Sequence, residues 1–240
     1  MKAVILAGGL GSRLKSVVND IPKPMADVQG KPFLEYLLLQ LKKWKIKEII
    51  ILIGYKAEYI KQYFKDGKLF GVNISYSEEK ELLETGGALK QAQNLLNDNN
   101  EYFILMNGDS FFNIDFNELI KMQKNKNAFG VISMFKSKNS VRYGNIRISK
   151  DNKIIEFVEK KKRISEQTEQ LANGGIYLFH KKIFDYIPLK KSSLEIEIFP
   201  ELIKKEKLYG KIFNGYFIDI GIPEDYKKIN NTKKFLNYFF

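Results

Sequence analysis

The sequence predicts an α/β fold in which a mixed sheet is flanked by helices, and three observations support this prediction. Short apolar runs alternate with helix-like spacing over residues 1–125, which is the pattern of βαβ units. The β-branched run Glu48–Gly54 is typical of a buried strand in a parallel sheet. Residues 126–240 add further strand-like segments separated by hairpin turns. We expect one domain over residues 1–240, with a small β-rich lobe in its second half.

The first strand begins at Lys2 and runs into a glycine-rich loop. Gly8, Gly9 and Gly11 lie close together, and Arg13 follows them. Glycines can take positive φ and let backbone N–H groups approach a phosphate, while an arginine adds a permanently charged donor. The pattern therefore predicts a phosphate-binding loop, with an ordinary glycine-rich turn as the alternative. The third glycine of a dinucleotide fingerprint and the Gly-Lys-Ser/Thr of a P-loop are absent, which disfavours those two folds.

Composition limits the classes of function. The chain has no cysteine, so disulfides, thiolate nucleophiles and cysteine-ligated metal sites are excluded. Its start lacks the length and cleavage site of a signal peptide, and its longest apolar runs, such as Tyr102–Met106, are strand-sized. We therefore expect a cytoplasmic protein with no membrane partner. The net charge of +12 comes from scattered lysines, with only Lys160–Arg163 forming a run, which favours small anionic substrates over nucleic acid.

The remaining elements follow from apolar spacing and from turn residues. Ligands of a doubly wound sheet bind beyond the carboxyl ends of its strands, so the loops there are candidate binding segments. We expect helices over residues 31–44, 57–64, 199–205 and 224–238, and strands over 72–76, 129–135, 144–149, 153–159, 174–179, 210–213 and 216–218, the last two paired with each other.

Two segments of the first half present candidate binding groups. Pro22 and Pro24 bracket Lys23, and we expect extended backbone that holds this lysine stiffly toward a phosphate. Gly86 and Gly87 stand at the start of a predicted helix, where bare backbone and the helix N-terminus suit a base, a ribose or an anionic group. A surface lysine in a proline turn and a plain glycine loop are the respective alternatives.

Aspartates follow two strand-like segments that are far apart in the sequence. Asp109 follows the hydrophobic run Glu101–Met106, and Asp219 ends the run that begins at Phe217. A carboxylate at the end of a central strand suits a hard cation, since Mg²⁺ is held by one or two carboxylates together with substrate phosphate oxygens. We expect the two aspartates to converge on one Mg²⁺, with an Asx turn or helix cap as the alternative for Asp109.

The second half adds three candidate segments. Tyr143 and Gly144 precede one predicted strand, and Glu159 with Lys160 ends the next. Asn173–Gly175 opens the strand that runs on to residue 179, where an amide beside bare backbone can hydrogen-bond sugar hydroxyls. A simple strand-entry turn is the alternative for the last segment.

Taken in order, these segments give the chain a resemblance to the sugar-1-phosphate nucleotidyltransferases over essentially its full length. Within that family it is most similar to the D-glycero-D-manno-heptose 1-phosphate guanylyltransferases. Its departures are Ser12, where threonine is usual, and Glu81–Glu84, where many members have Pro-Leu-Gly. The segments that carry the resemblance are Leu6–Leu14, Pro22–Pro24, Glu84–Ala88, Asn107–Asp109, Glu159–Lys160, Asn173–Gly175 and Phe217–Tyr226.

The resemblance implies the nucleotide-diphospho-sugar transferase (Rossmann-like) fold and the reaction NTP + sugar 1-phosphate → NDP-sugar + pyrophosphate. It implies GTP and a heptose 1-phosphate as substrates, Mg²⁺ as cofactor and a role in surface-glycan synthesis. Residues 1–125 would bind the nucleotide and residues 126–240 the sugar phosphate. The oligomeric state is left open, with a homo-oligomer as one option.

The resemblance also implies a site. Its catalytic residues are Arg13, Lys23 and Asp109, and its metal ligands are Asp109 and Asp219. Its nucleotide-binding residues are Leu6, Ala7, Gly8, Gly9, Gly11, Ser12, Arg13, Lys23, Glu79, Gly86, Gly87, Asn107 and Gly108. Its sugar-phosphate-binding residues are Tyr143, Gly144, Glu159, Lys160, Asn173 and Gly174.

Several alternatives remain at this point. A uridylyl-, cytidylyl- or thymidylyltransferase or a GDP-mannose pyrophosphorylase would share the motifs. A glycosyltransferase usually places Asp-x-Asp after the strand, whereas Ser110 and Phe111 follow Asp109 here. A non-catalytic sugar-nucleotide sensor would be expected to have lost Arg13, Lys23 or an aspartate, and all are present.

Overall fold

The computed structural model describes residues 1–14, 17–18, 20–137, 143–158 and 170–239, and its centre is a nine-stranded mixed sheet. Four parallel strands lie in the order β6, β1, β4, β5, and they span Tyr102–Asn107, Lys2–Leu6, Glu48–Ile53 and Asn73–Glu78. The remaining strands are β8 (Gly130–Ser137), β9 (Asn145–Ile148), β10 (Ile154–Val158), β11 (Gln170–His180) and β12 (Leu208–Ile212). The α/β fold class expected from the sequence is confirmed.

The second half continues the same sheet through one long strand. β11 pairs antiparallel with β6 over its last five residues and with β8 along both of its ends. β12 then pairs parallel with β8, and β9 and β10 form an antiparallel hairpin at the other edge. The division into halves 1–125 and 126–240 stays a prediction.

Helices cover both faces of the sheet because successive strand residues point to opposite sides. One core includes side chains of α1 (Phe33–Lys43), α2 (Ala57–Phe64), α4 (Phe116–Lys126) and α6 (Pro223–Asn230), and the other includes those of α3 (Glu84–Gln91) and α5 (Phe199–Lys204). In β1, Ala3 and Ile5 belong to the first core and Val4 to the second. None of the described helices is long and apolar enough to cross a membrane.

Short pairings outside the large sheet complete the strands. β2 (Asp27–Val28) pairs with β3 (Lys31–Pro32), and β7 (Ser110–Phe112) pairs antiparallel with β13 (Phe217–Asp219). The expected pairing of 210–213 with 216–218 is therefore wrong. β12 pairs with β8 at the edge of the large sheet. The Tyr216 carbonyl accepts from Asn113 N at 2.9 Å, so the chain before β13 is held beside the end of β7.

The last expected helix is corrected by a long-range hydrogen-bond contact. The helix expected over 224–238 is broken: α6 ends at Asn230, and a 3₁₀ segment follows at Lys233–Tyr238. Gln29 Nε2 donates to the Ile229 and Thr232 carbonyls at 2.6 and 2.7 Å, so the Ile229 carbonyl is taken by a side chain where a continuing helix would use it.

The backbone at Lys23 is also different from the expectation. Pro22 is extended, but Lys23–Met25 form a 3₁₀ turn in which the Pro22 carbonyl accepts from Met25 N at 2.8 Å. Pro24 fits there because the early residues of a helical turn need no intrahelical donor. Lys23 is thus held by a tight turn, and not by extended chain.

Asn173 does not open its strand, contrary to expectation. β11 begins at Gln170, and its pairing with β8 shifts register between Asn173 and Tyr177. Gly175 lies inside this irregularity with a φ of +70°, a conformation that favours glycine. Within this irregularity Asn173 Oδ1 accepts from Gly175 N at 3.0 Å.

Candidate active site

A cavity of about 490 Å³ lies at the carboxyl ends of the central strands. The expected site residues that line it are Leu6, Ala7, Gly8, Gly9, Gly11, Lys23, Glu79, Asn107, Gly108, Asp109, Gly144 and Asn173. Residues from both halves of the sequence therefore meet in one cavity. Its size is that of a site for a small molecule rather than for a macromolecule.

The phosphate loop, Gly8–Arg13, leaves β1 at one end of this cavity. The Gly8 carbonyl accepts from Tyr55 N at 3.2 Å, which ties the loop to the segment after β4. Gly11 has a φ of +60°, and an added Cβ there would stand 3.1 Å from the Lys23 Cβ. Arg13 lies in a 3₁₀ turn over Ser12–Leu14 and is exposed. The loop thus turns sharply and passes close to the lysine that is expected to act with it.

Lys23 and Asp109 form an ion pair on the cavity wall. Lys23 Nζ lies 2.6 Å from Asp109 Oδ2, with the lysine side chain 13% exposed and the aspartate 30% exposed. The pair joins the turn after the phosphate loop to the end of β6. Partial burial makes the attraction in such a pair stronger than in a surface ion pair. The cavity wall therefore carries an ammonium and a carboxylate side by side.

The second aspartate of the predicted metal site comes next to the first. Asp219 pairs with Ser110 across β13 and β7, and the Asp109 carbonyl accepts from Ile220 N at 2.9 Å. Asp219 Oδ1 also accepts from Gly221 N at 2.5 Å, which fixes the carboxylate at the strand end. The two aspartates, 110 residues apart in sequence, are thus neighbours along the backbone. Their convergence on one Mg²⁺ stays a prediction. Among the described residues no cluster of three or more acidic or histidine ligands occurs.

Glu79 lies against the phosphate loop. Its carboxylate occupies the space that a Cβ on Gly8 would need, so only glycine allows this approach. Glu79 Oε2 accepts from Leu83 N at 2.8 Å. Burial raises the pKa of this carboxyl, and the Leu83 N–H opposes part of that rise. The cavity therefore holds a half-buried carboxyl group with acceptor capacity left.

Asn173 lines the cavity and belongs to a polar cluster that continues behind the cavity surface. Its Nδ2 donates to Tyr177 Oη at 2.7 Å, and its Oδ1 accepts from Gly175 N at 3.0 Å. The backbone N–H of Asn173 donates to the Gly144 carbonyl at 2.9 Å, joining β11 to the segment before β9. Tyr177 is fully buried, and burial followed by the negative charge of Glu195 raises the pKa of its phenol. The Asn173 amide is therefore fixed in orientation.

Gly86 and Gly87 lie behind the cavity wall and do not line it. Both backbone N–H groups donate to the Ser192 carbonyl, at 2.8 and 3.1 Å. A Cβ on Gly86 would stand 2.9 Å from that carbonyl oxygen, and one on Gly87 would stand 2.7 Å from the Lys190 carbonyl oxygen. These two glycines let the 190–192 segment approach α3. Their expected contact with base and ribose stays a prediction.

Other expected residues also lie outside the cavity lining. Gly174 packs under the Phe112 ring, where a Cβ would clash. Tyr143 stacks edge-on with Phe135 and Phe217, each at a centroid distance of 5.3 Å. Glu159, Lys160 and the side chain of Ser12 lie outside the described residues, so the expectations for them stay predictions.

Several lining residues were not expected from the sequence. They are Pro24, Leu52, Leu82, Glu84, Thr85, Ala88, Phe157, Ser193, Glu195 and Ile196. Thr85 Oγ1 donates to Glu195 Oε2 at 2.7 Å, so the first turn of α3 is joined to a π-helical turn at Leu194–Ile198. Glu84 has a φ of +59°, which is rare for a residue other than glycine. In the sequence, only the segment Glu84–Ala88, at the start of a predicted helix, pointed to this wall.

Known proteins resemble this chain over nearly its full length. A family model described as Nucleotidyl transferase matches residues 2–234. A D-glycero-alpha-D-manno-heptose 1-phosphate guanylyltransferase of Campylobacter jejuni is 45% identical over 94% of this chain and 97% of its own length. One of Aneurinibacillus thermoaerophilus is 40% identical over 95% of this chain and 96% of its own length.

A solved structure is similar over the same extent. HddC from Yersinia pseudotuberculosis, complexed with GMP-PN, superimposes with a TM-score of 0.81 at 36% identity, covering 95% of this chain and 97% of that one. The family match spans nearly the whole chain, including both walls of the cavity. The chain belongs to the nucleotidyl transferase family.

Proposed function

We propose that this protein transfers GMP from GTP to D-glycero-D-manno-heptose 1-phosphate, giving the GDP-heptose and pyrophosphate. The observation that carries the proposal is the Lys23–Asp109 pair in a cavity that also holds the phosphate loop and Asn173. Two anionic substrates need a cation between them, which Lys23 supplies. The phosphate loop offers donors for phosphates at one end of the cavity, and Asn173 offers an amide for hydroxyls at the other. The relatives that match over nearly their full length are named for this reaction.

The preference for guanine is supported by Glu79. The Watson–Crick edge of guanine presents adjacent N1–H and N2–H donors, which a carboxylate can accept together. Uracil and thymine present a single ring N–H between two carbonyl oxygens that a carboxylate would repel. Glu79 lies against Gly8 at the phosphate-loop end of the cavity, and its Oε2 is already ordered by Leu83 N–H. We therefore assign the base to this side.

In the proposed reaction, a phosphate oxygen of the sugar 1-phosphate attacks the α-phosphorus of GTP. A new P–O bond forms while the bond to the β-phosphate breaks, and pyrophosphate leaves. The nucleophile is already ionised near neutral pH because the second pKa of a sugar phosphate is about 6. No general base is needed. The work of the chain is to bring two polyanions into line and to shield their charge.

Roles follow from position. Backbone N–H groups of Gly8–Gly11 and the Arg13 guanidinium would bind the β- and γ-phosphates that leave as pyrophosphate. Lys23 would bind the α-phosphate, because its ammonium lies beside the loop and is only 13% exposed. Asn173 would hydrogen-bond the sugar, and for Glu159 and Lys160 we keep the expectation of sugar and sugar-phosphate contacts.

We also propose that Asp109 and Asp219 hold Mg²⁺. The donor set fits, because Asp109 and Asp219 stand at adjacent ends of β7 and β13, and Mg²⁺ takes one or two carboxylates from a protein when substrate phosphates supply further oxygens. The ammonium of Lys23 at 2.6 Å from Asp109 Oδ2 indicates that this carboxylate attracts a cation. When bound, Mg²⁺ neutralises phosphate oxygens and lowers the repulsion between the substrates. We propose that the reaction takes place in the cytoplasm, where nucleoside triphosphates are made. We also propose that its product is used in surface-glycan synthesis.

A substrate matrix tests the proposal. GTP, UTP, CTP and dTTP are each supplied with heptose, mannose, glucose and N-acetylglucosamine 1-phosphates, and pyrophosphate release is measured with Mg²⁺ present. We expect the largest kcat/KM for GTP with the heptose 1-phosphate. A clear preference for UTP or CTP would contradict the guanylyl assignment, and activity without any sugar phosphate would contradict the transfer.

A further inference from the structure

The wall of the cavity formed by α3 and the turn after Ser193 contains a carboxylate with no role in the steps above. Glu195 lines the cavity and is half-buried. Its Oε2 accepts from Thr85 Oγ1 at 2.7 Å and from Ser193 Oγ at 3.0 Å. In the described part of the chain, Glu195 forms no ion pair and its Oε1 accepts no hydrogen bond. One oxygen is anchored and the other retains its acceptor capacity.

The anchoring is directional. Thr85 Oγ1 accepts from Leu194 N at 2.9 Å, and Ser193 Oγ accepts from Ile196 N at 3.2 Å. Because each hydroxyl has one hydrogen and already accepts a backbone N–H, that hydrogen is free to point at Glu195 Oε2. The carboxylate is therefore held in one orientation by two elements, α3 and the π-helical turn. A side chain that recognises a substrate needs such fixed positioning.

The charge of Glu195 restricts what it can bind. A carboxylate repels phosphates, so its partner must be a neutral donor, either a base N–H or a sugar hydroxyl. Glu79 is the carboxylate beside the phosphate loop and is assigned to the base. The π-helical turn that carries Glu195 runs directly into Phe199, whose ring lies at a centroid distance of 5.9 Å from that of Tyr177. The Tyr177 hydroxyl in turn accepts from Asn173 Nδ2. Glu195 therefore belongs to the Asn173 side of the cavity.

The sugar 1-phosphate has a direction in this cavity. In the proposed reaction its phosphate lies next to the α-phosphate that Lys23 binds, and its ring lies at Asn173. The carbon chain distal to the phosphate then extends toward the wall of Glu195, Thr85 and Ser193. A heptose of manno configuration differs from mannose only there, because its C6 bears a hydroxyl and a further hydroxymethyl group, whereas that of mannose is the terminal carbon.

Building on the proposed function, we propose that Glu195 accepts hydrogen bonds from the hydroxyls of this exocyclic chain. It thereby makes the enzyme select a heptose 1-phosphate over mannose 1-phosphate. A carboxylate suits two neighbouring sugar hydroxyls because each of its oxygens can accept a hydrogen bond. The hydrogen bonds from Thr85 and Ser193 to Oε2 fix the carboxylate, and this also fixes the position of Oε1. Glu195 is thus a specificity-determining residue, and Thr85 and Ser193 are its positioning residues.

The test is a ratio of specificities. For the full-length protein with GTP and Mg²⁺, kcat/KM is measured for the heptose 1-phosphate and for mannose 1-phosphate, in the parent and in Glu195→Gln. We expect the heptose-to-mannose ratio to fall by about 10- to 100-fold in the variant, the range for losing hydrogen bonds to a charged group. GTP binding without sugar phosphate should stay the same, since Glu195 is assigned to the sugar side.

The matched control is Glu197→Gln in the same turn. Glu197 is exposed, its Oε1 accepts from Ser193 N at 3.0 Å, and it does not line the cavity. Its replacement should leave the ratio within about twofold, since surface substitutions change free energies by about 0.5 kcal/mol or less. If Glu195→Gln does not fold, Glu195→Asp, which withdraws the carboxylate by one methylene, should lower the ratio in the same direction.

The outcomes separate the two proposals. A parent that uses GTP with the heptose phosphate, together with an unchanged ratio in both Glu195 variants, overturns the role of Glu195 and leaves the proposed function standing. Equal losses with both sugars also overturn it, because they show a structural role only. A parent that uses neither sugar with GTP contradicts the proposed function itself.

Discussion

The two sides of the cavity are built in different ways. The phosphate loop is a continuous segment, Gly8–Arg13, and the groups that it offers to a phosphate are mostly backbone N–H groups. The opposite wall consists of side chains that come from separate elements, with Thr85 and Glu195 110 residues apart in the sequence. In the proposed reaction the first side would bind groups that every nucleoside triphosphate shares. The second side would bind groups that distinguish one sugar from another, so it is where we expect selectivity to change with single substitutions.

The largest effect in this comparison is expected at the phosphate side. Lys23→Ala removes the cation that lies 2.6 Å from Asp109 and is assigned to the α-phosphate. Loss of one preorganised group of this kind typically lowers turnover by about 10²–10³. Steady-state kcat with GTP and the heptose 1-phosphate checks it. The matched control is Lys61→Ala on α2, whose exposed ammonium pairs with Glu78. A kcat for Lys23→Ala within a few-fold of the parent would refute the role.

The next largest effect is expected on protein stability, at the wall formed by α3 and the 190–192 segment. Gly86→Ala places a Cβ 2.9 Å from the Ser192 carbonyl oxygen, and overpacking of this kind costs about 1–3 kcal/mol, partly offset by about 0.5–1 kcal/mol of helix preference. We expect a net loss of about 1–2 kcal/mol in the free energy of unfolding. For a chain of this size, calorimetry would show Tm lowered by about 2–8 °C.

Gly9→Ala is the matched control for that loss. Gly9 has no atom within 4 Å of an added Cβ, and it lies at the phosphate side. Its replacement should change the free energy of unfolding by less than about 0.5 kcal/mol, as for other exposed positions. Equal stability of Gly86→Ala and Gly9→Ala would show that the 190–192 segment moves away freely, and the account of this wall would fail.

The smallest effect is a pH dependence at Glu79. Burial raises the pKa of this carboxyl in the folded protein, so ionisation costs stability. The folded state is favoured below the unfolded pKa of about 4.3, and this advantage is lost as pH rises through the folded pKa. Glu79→Gln, which cannot ionise, should therefore gain in Tm relative to the parent between pH 4 and pH 8. A difference independent of pH, or one of opposite sign, would contradict the cause.

The phosphate side was predictable from sequence because its chemistry is local. A strand, three glycines and an arginine occur within one segment, and the strand Lys2–Leu6 was confirmed. The helix over Ala57–Phe64 and the strands at β4 and β6 were confirmed for a similar reason, since apolar periodicity sets them. The meeting of Asp109 with Asp219 was predictable from topology, since both follow strands.

The wall of Thr85 and Glu195 was not predictable because long-range contacts determine it. In the sequence Gly86 and Gly87 look like ligand-facing glycines, and their packing against Ser192 is visible only in the structure. The break in the last helix depends on Gln29, which is 200 residues away from Ile229. Such contacts leave no periodic pattern along the chain. A Ser-Leu-Glu sequence predicts a helix start, but not which cavity that glutamate lines.

The central claim is that the cavity joins GMP to a sugar phosphate, and ³¹P NMR of the reaction tests it directly. The parent protein is incubated with GTP, D-glycero-D-manno-heptose 1-phosphate and Mg²⁺. The account predicts equal amounts of pyrophosphate and of a GDP-sugar diphosphate, while the GTP and sugar-phosphate signals disappear together. Release of inorganic phosphate and GDP with the sugar phosphate unchanged would contradict it.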